Sequence, residues 1–326
     1  MHKIKFGLFL PTGNFAEAKA AALQAERDGF YSVSTNDHFF SPLGTHDTPQ
    51  LECFTSLTAI AAVTDSVRLV PSVAAASFRN PALLAKITST LDQVSNGRFI
   101  MGLGAGWFDK EYAAHGYPFP STRERLAQLE ETVQILKAMW CDEEPTFTGK
   151  YFSINKAYAN PKPVQKPHPP IMLGGSGPGL LKIAARHADI LNIIPPTSNG
   201  KDFINDPEAT ARFSMDVLKS KIAQLHQYME QAGRDPKEIE LGGITLVAMS
   251  ENAADESLRG IATQLGFPNY RSAQRSPIAL LGTPDEVINE LRTRIDETGM
   301  SYYIVIAMTP ESQNLFVNQV MPMFTN

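Results

Sequence analysis

The sequence predicts an α/β protein folded as a closed (β/α)8 barrel, and three observations carry that prediction. Eight short apolar runs alternate with helix-patterned segments along 326 residues. Strands separated by helices need parallel crossover connections, and eight such units in a chain of this length favour a closed barrel. No linker-like stretch interrupts the alternation, so residues 1–326 read as a single domain. The rival is an open doubly wound sheet. That fold usually carries a dinucleotide fingerprint after its first strand, and Pro11-Thr12-Gly13-Asn14 is not one.

Each element has its own signal. Phe6–Leu10 is the first strand. Ala16–Asp28 is an Ala- and Glu-rich helix stopped by Gly29, the residue type favoured where a helix end turns left-handed. Tyr31–Thr35 is the second strand, and Glu52–Val63 sets Phe54, Leu57, Ile60 and Ala61 at helical spacing. Val67–Ala74 is the third strand. Pro81 opens the helix Pro81–Val94, where its missing N–H costs nothing. Arg98–Leu103 is the fourth strand, with a glycine-rich turn behind it. Ser121-Thr122-Arg123-Glu124 is a capping box, and its helix carries Leu126, Leu129, Val133, Leu136 and Trp140 on one face.

Residues 141–170 break the rhythm, with Tyr151–Ile154 read as part of a hairpin and a proline-rich run from Pro161 to Pro170. They follow a helix and precede a strand, so they belong at the bottom of a barrel. Ile171–Leu173 is the fifth strand, Leu180–His187 a helix and Asp189–Ile194 the sixth strand. A helix over Thr210–Ala232 stops at Gly233, and Glu240–Met249 is the seventh strand. Residues 250–282 read as irregular, with one short helix near Leu258–Leu265. Thr283-Pro284-Asp285-Glu286 is a second capping box whose helix ends at Gly299. Tyr302–Met308 is the eighth strand, and Ser312–Met323 the last helix.

Composition narrows the function. The chain is 43% hydrophobic and 19% charged, which excludes a disordered protein. A net charge of −5 leaves no basic footprint for nucleic acid. Cys53 and Cys141 are too few for a disulfide framework or a Cys-rich metal site. No stretch approaches the ~18 apolar residues of a membrane span, and the apolar start is too short for a signal peptide. The expectation is a cytoplasmic enzyme with no nucleic-acid or membrane partner. Its partners would be a small-molecule substrate and a second copy of itself, in a homodimer.

In a barrel the chemistry sits in the loops that follow the strands. After the second strand stand Asp37 and His38, an acid beside an imidazole that can exchange a proton at neutral pH. After the third come Ser72 and Val73, followed by small residues that let a flat ligand approach the backbone. After the fourth is Gly102-Leu103-Gly104-Ala105-Gly106-Trp107-Phe108, a sign of close backbone approach or unusual dihedrals. After the fifth is Gly174-Gly175-Ser176-Gly177-Pro178-Gly179 ahead of a helix, where exposed N–H groups and the helix dipole make an anion site. His187 and Asp189 lie at a helix–strand junction and read as a structural tether. His46 and Asp47 lack a metal-ligand pattern, no zinc spacing occurs, and no serine nucleophile elbow is present, so no metal is expected.

Taken together, these residues resemble the bacterial luciferase-like flavin-dependent oxidoreductases, and most of all the branch that uses the deazaflavin F-420. The resemblance rests on Asp37-His38-Phe39, Phe78-Arg79-Asn80-Pro81, Leu91–Phe99, Gly102–Phe108 with Glu111-Tyr112, Pro169–Gly175 and Leu281–Val287, in that order. It implies a (β/α)8 TIM barrel with insertions that binds F-420 or FMN with the ring in the barrel mouth. Gly174, Gly175, Ser176 and Gly177 would take the phosphate. Ser72–Val73 would form a cis peptide against the ring, with Gly104, Ala105, Gly106 and Trp107 beside it. Asp37 and His38 would lie by the reacting face. One departure stands out. Some deazaflavin dehydrogenases carry a Glu acid where this chain has Trp107, so Glu111 becomes the candidate carboxylate, the alternative being that it faces solvent from its helix.

The expected activity is hydride transfer between a deazaflavin or flavin and a small organic substrate. The alternatives are a reduced-FMN monooxygenase using O2, a sugar-phosphate isomerase or aldolase, and a flavin-binding partner subunit without turnover.

Overall fold

The computed structural model describes residues 3–325 apart from 43, 44, 46, 196–209 and 211. By its own contacts the chain falls into two compact units. One comprises residues 10–174 with 187–189, the other residues 1–9, 175–186 and 190–326.

The first unit is built on parallel strands. Ser32–Thr35 pairs with Arg68–Pro71, Leu69 bridges to Phe99, and Met101–Gly104 pairs with Ile171–Gly174. The expected strand Val67–Ala74 is divided. Arg68–Pro71 follows Ser32–Thr35, whereas Ala74–Ala75 pairs with Leu103 and Gly104. The two residues between them, Ser72 and Val73, are joined by a cis peptide, as the resemblance implies. Met101–Gly104 needs a glycine at 102, because a Cβ there would lie 1.9 Å from the Pro71 carbonyl oxygen.

Local signals start the helices of this unit where the sequence puts them. Asn80 accepts from the Ala82 N–H and Pro81 occupies the first turn of Pro81–Val94. The Ser121/Glu124 capping box is complete at the start of Thr122–Cys141. Buried Trp140 donates Nε1–H to the Ala85 carbonyl at 3.3 Å, tying the two helices together.

Residues 141–170 hold the short hairpin Phe147–Thr148/Ser153–Ile154. Their later part packs beside the start of a strand, where the Gln165 amide donates to Asp92 and to the Phe99 carbonyl, each at 2.7 Å. Asp189 accepts from the Ile171 N–H at 2.8 Å and His187 Nε2 lies 3.1 Å from Glu130, so this pair does tether the junction.

The second unit is parallel as well. Tyr302–Ala307 lies between Lys5–Phe9 and Glu240–Met249, and Ile190–Asn192 pairs with the start of the latter. Residues 250–282 differ from the expectation. They form the helices Glu256–Gln264 and Tyr270–Gln274 and a further strand, Ala279–Gly282, paired with Leu246–Met249. Four residues buried on both faces show no alternation for a pattern to catch. Fully buried Arg294 caps this corner by donating to the carbonyls of Ser276, Pro277 and Ala279.

Two helices also depart from expectation. The one expected from Thr210 is Met215–Gln231, because Ser214 caps it at the Val217 N–H; Ala211 lies outside the described residues. The expected Ser312–Met323 helix is Pro310–Leu315, then a π-helical turn over Phe316–Val320, then Pro322–Thr325. Pro322 has no N–H to continue the regular ladder. Gly299, at φ 69°, ends Pro284–Thr298 as expected. Among the described residues no helix is long and apolar enough to cross a membrane.

Candidate active site

The first unit gathers most of the residues singled out in the sequence. Asp37 and His38 leave the Ser32–Thr35 strand together but serve different partners. Asp37 takes Arg79 in a two-pronged ion pair, 2.7 Å from Nη1 to Oδ2 and 2.9 Å from Nη2 to Oδ1. It also accepts the Ala75 N–H at 3.1 Å, which ties the Ser72–Ala75 segment to the end of the neighbouring strand.

Arg79 reaches on to Glu52 at 2.6 Å and lies over the Phe54 ring at 4.6 Å. Burial works against the guanidinium charge, but Asp37 and Glu52 hold its pKa above the ordinary value. Burial also opposes the Glu52 charge. Hydrogen bonds from Thr55 and the Arg79 guanidinium nevertheless bring that carboxyl below its usual pKa. Asp37 is the acid next to His38 in sequence, but its carboxylate is committed to Arg79.

His38 turns to Glu111, with Nδ1 2.9 Å from Oε2. Glu111 sits on the short helix Asp109–Ala114 and is 1% exposed, so it does not face solvent. Its other oxygen accepts the Phe39 N–H. The Trp107 and Phe108 rings meet the imidazole edge-on, at 5.6 Å and 81° and at 6.1 Å and 80°. Trp107 itself stacks on Phe108 at 5.0 Å, and Phe39 stacks on His115 at 4.4 Å.

The glycines make room rather than contacts. A Cβ on Gly104 would lie 2.8 Å from a Val73 methyl, and one on Gly174 would lie 3.0 Å from both. Val73 therefore sits in a hollow that only glycines leave open. Gly106, at φ +77°, seats its backbone on Tyr112, whose hydroxyl would be 1.9 Å from an added Cβ. Ala105, between these glycines, is half-buried. The Tyr112 hydroxyl shares a 2.6 Å hydrogen bond with Ser77. Burial pushes this phenol up to about 12 even though the Ser77 bond lowers it. The Ser72 Oγ is buried with no hydrogen-bond partner.

Of the residues expected to take a phosphate, Gly174 ends a strand of the first unit, and Gly175, Ser176 and Gly177 belong to the second. Here one expectation is corrected. The Gly175 N–H is not open to an anion, because it donates to the Asn192 carbonyl at 3.0 Å. Gly175 sits at φ +144°, with Leu180 2.8 Å from where a Cβ would stand. Among the described residues nothing pairs with the N–H of Ser176 or of Gly177 ahead of the helix Pro178–His187, and the Ser176 Oγ is buried and unpartnered. The Asn192 Oδ1 is likewise buried without a partner.

Sequence reasoning missed Glu52 and Asn192, which carry no local signal. It missed the role of Arg79 as well, although Phe78-Arg79-Asn80-Pro81 was visible as a motif. Among the described residues no cluster of His, Cys, Asp and Glu could hold a metal ion.

Comparison with known proteins adds the following. The family model described as luciferase-like monooxygenase matches residues 4–302. The F-420-dependent glucose-6-phosphate dehydrogenase of Kineococcus radiotolerans is 31% identical over 87% of this chain and 80% of its own length. An FMNH(2)-dependent dimethylsulfone monooxygenase of Pseudomonas putida is 33% identical over 51% of this chain and 45% of its own. Two solved structures share the (β/α)8 TIM-barrel fold of this chain. One is an F-420-dependent secondary alcohol dehydrogenase with an F-420–acetone adduct, at TM-score 0.80 and 22% identity, covering 99% of this chain and 100% of that one. The other is the coenzyme F-420-dependent tetrahydromethanopterin reductase of Methanopyrus kandleri, at TM-score 0.75 and 19% identity, covering 99% of each.

Proposed function

Because the chain belongs to the luciferase-like monooxygenase family and is a flavin- or deazaflavin-dependent oxidoreductase, we propose that His38 handles the proton that accompanies its hydride transfer. The observation that carries this reading is the state of the His38 ring. Nδ1 is held by Glu111, while Nε2 makes no hydrogen bond among the described residues.

The residues present fit a flavin-type group. Gly104 and Gly174 make room for the Val73 side chain, which follows the cis Ser72–Val73 peptide and offers an apolar face to a flat ring. The orphaned Ser72 Oγ lacks a partner that a polar ring edge would provide, and the orphaned Ser176 Oγ one that a phosphate would provide. In the first unit Ser72, Val73, Gly104, Ala105, Gly106, Trp107 and Gly174 would bind a ring; in the second, Ser176 and Gly177 would bind a phosphate. When bound, F-420 or FMN supplies a centre that accepts or delivers the hydride.

The chain's own residues do the rest. Trp107 and Phe108 hold the imidazole edge-on. Nε2 takes the proton when the substrate is oxidised and returns it in the reverse direction. Asp37, locked to Arg79 and to the Ala75 N–H, supports the Ser72–Ala75 segment.

A second reading, oxygen chemistry with reduced FMN, is favoured by the Pseudomonas putida relative. Titrating the purified protein with FMN and with F-420, followed by single-turnover assays with and without O2, separates the two. Turnover with F-420 that does not depend on oxygen supports hydride transfer. Strict dependence on FMN and O2 overturns it. The two free cysteines, one buried and one exposed, are consistent with the proposed cytoplasmic setting. The proposed homodimer is tested by sedimentation.

A further inference from the structure

We infer that Glu111 is the positioning residue of His38 and not a proton donor in its own right. The inference rests on the reading of His38 as the proton-handling group and deepens it. Both Glu111 oxygens are engaged within the chain, one by His38 Nδ1 at 2.9 Å and the other by the Phe39 N–H. The side chain is 1% exposed, which leaves no face for a substrate.

An ionised carboxylate can only accept hydrogen bonds. Beside it, Nδ1 must carry the hydrogen, and in the neutral ring the lone pair is then placed on Nε2. Nε2 is the nitrogen with no partner among the described residues. When it takes up a proton, the ring becomes an imidazolium whose charge lies against the Glu111 carboxylate. The Trp107 and Phe108 edges fix the ring plane, so the imidazole cannot turn without losing both contacts.

The other groups around the ring do not compete for this role. Asp37, next to His38 in sequence, gives both oxygens to Arg79 and one of them also to Ala75. Glu52 belongs to Arg79 as well. His115 bonds through Nδ1 to the Glu111 carbonyl at 3.0 Å and leaves the carboxylate alone. The two carboxylates are thus divided, Asp37 to the arginine and Glu111 to the imidazole.

Glu111→Gln and Glu111→Asp test this by two routes. The first is nitrogen NMR of His38 in the cofactor-free protein, read as tautomer. The amide of Glu111→Gln can donate as well as accept and should mix the tautomers. Glu111→Asp should restore the single tautomer. The second route is turnover. Glu111→Gln should lower kcat about 10–100-fold, a part of what a positioned acid–base contributes, with KM changed less than about twofold.

A His38 tautomer that stays put in a folded Glu111→Gln protein would overturn the positioning role. So would a kcat loss with an unmoved pH–rate profile, which would make Glu111 act directly. If the His38 signals shift as expected while His38→Ala turns over normally, the positioning stands and the proposed role of His38 falls.

Discussion

The loop cluster around His38 and the turn at Gly174–Gly177 handle polar atoms in opposite ways. Around His38 nearly every polar group is answered from within the chain. Asp37 has Arg79, Glu111 has His38 and Phe39, and Tyr112 has Ser77. Among the described residues the His38 Nε2 is left over, with the Ser72 Oγ in the same unit's strand-end segment. At the turn it is the other way round: among the described residues the N–H groups of Ser176 and Gly177 and the buried Ser176 Oγ make no hydrogen bond, while the Gly175 N–H is used internally. A group that must act at one atom is wired so that only this atom is free. A group that must hold a ligand keeps unmet hydrogen-bonding capacity, because an unanswered buried polar atom costs about 1–3 kcal/mol that a ligand can recover.

The largest expected effect would break the first half of that contrast. His38→Ala should lower the chemical step about 10²–10⁴-fold with little loss of cofactor affinity. Single-turnover kinetics on folded, cofactor-loaded protein measures it, and a near-normal rate would show that the free nitrogen does nothing.

Arg79→Ala comes next. It strands the Asp37 carboxylate, 5% exposed, without its partner. Breaking a buried pair in this way costs roughly 3 kcal/mol, which a denaturant titration would register as a lower midpoint. An unchanged midpoint would mean that Asp37 finds another partner.

At the turn, Gly175→Glu combines a forbidden φ, a collision with Leu180 and a negative charge. Cofactor affinity should fall by well over tenfold, at least about 1.4 kcal/mol. Ser176→Ala is the gentler companion. It leaves the backbone alone and should weaken binding less, about 1 kcal/mol. If fluorescence titration finds Ser176→Ala as tight as the parent, the open hydroxyl is not an anchor.

The smallest effect sharpens the contrast through pH. Glu52 titrates below its ordinary value in the folded protein, so it adds stability above the unfolded carboxyl pKa of 4.5. That contribution is lost as pH falls through the lower folded value. Thermal melts between pH 6 and pH 3 should therefore show a shallower acid loss in Glu52→Gln than in the parent. Parallel curves would place the acid sensitivity elsewhere.

Much of this molecule is legible residue by residue. The capping boxes at Ser121 and Thr283, Pro81 in a first helical turn and the helix stop at Gly299 all work through bonds to residues a few positions away. Such contacts need only the local helix to form, whatever the rest of the chain does, so the sequence alone determines them. The alternation of strand and helix, and with it the barrel, follows from the same local patterns. So do the loops in which His38, Gly104 and Gly174 had to be sought.

The partners were decided by the tertiary structure. His38 meets Glu111 across 73 residues, and Asp37 meets Arg79 across 42. Sequence placed Asp37 beside His38, yet the two carboxylates went elsewhere and across. Ala279–Gly282 became a strand only by pairing with Leu246–Met249. The Gly175 N–H was taken by Asn192. The physical reason is common to all of these. Which side chain reaches which depends on how strands align and where their loops emerge, and a carboxylate or an N–H binds whichever complementary group that alignment brings within about 3 Å.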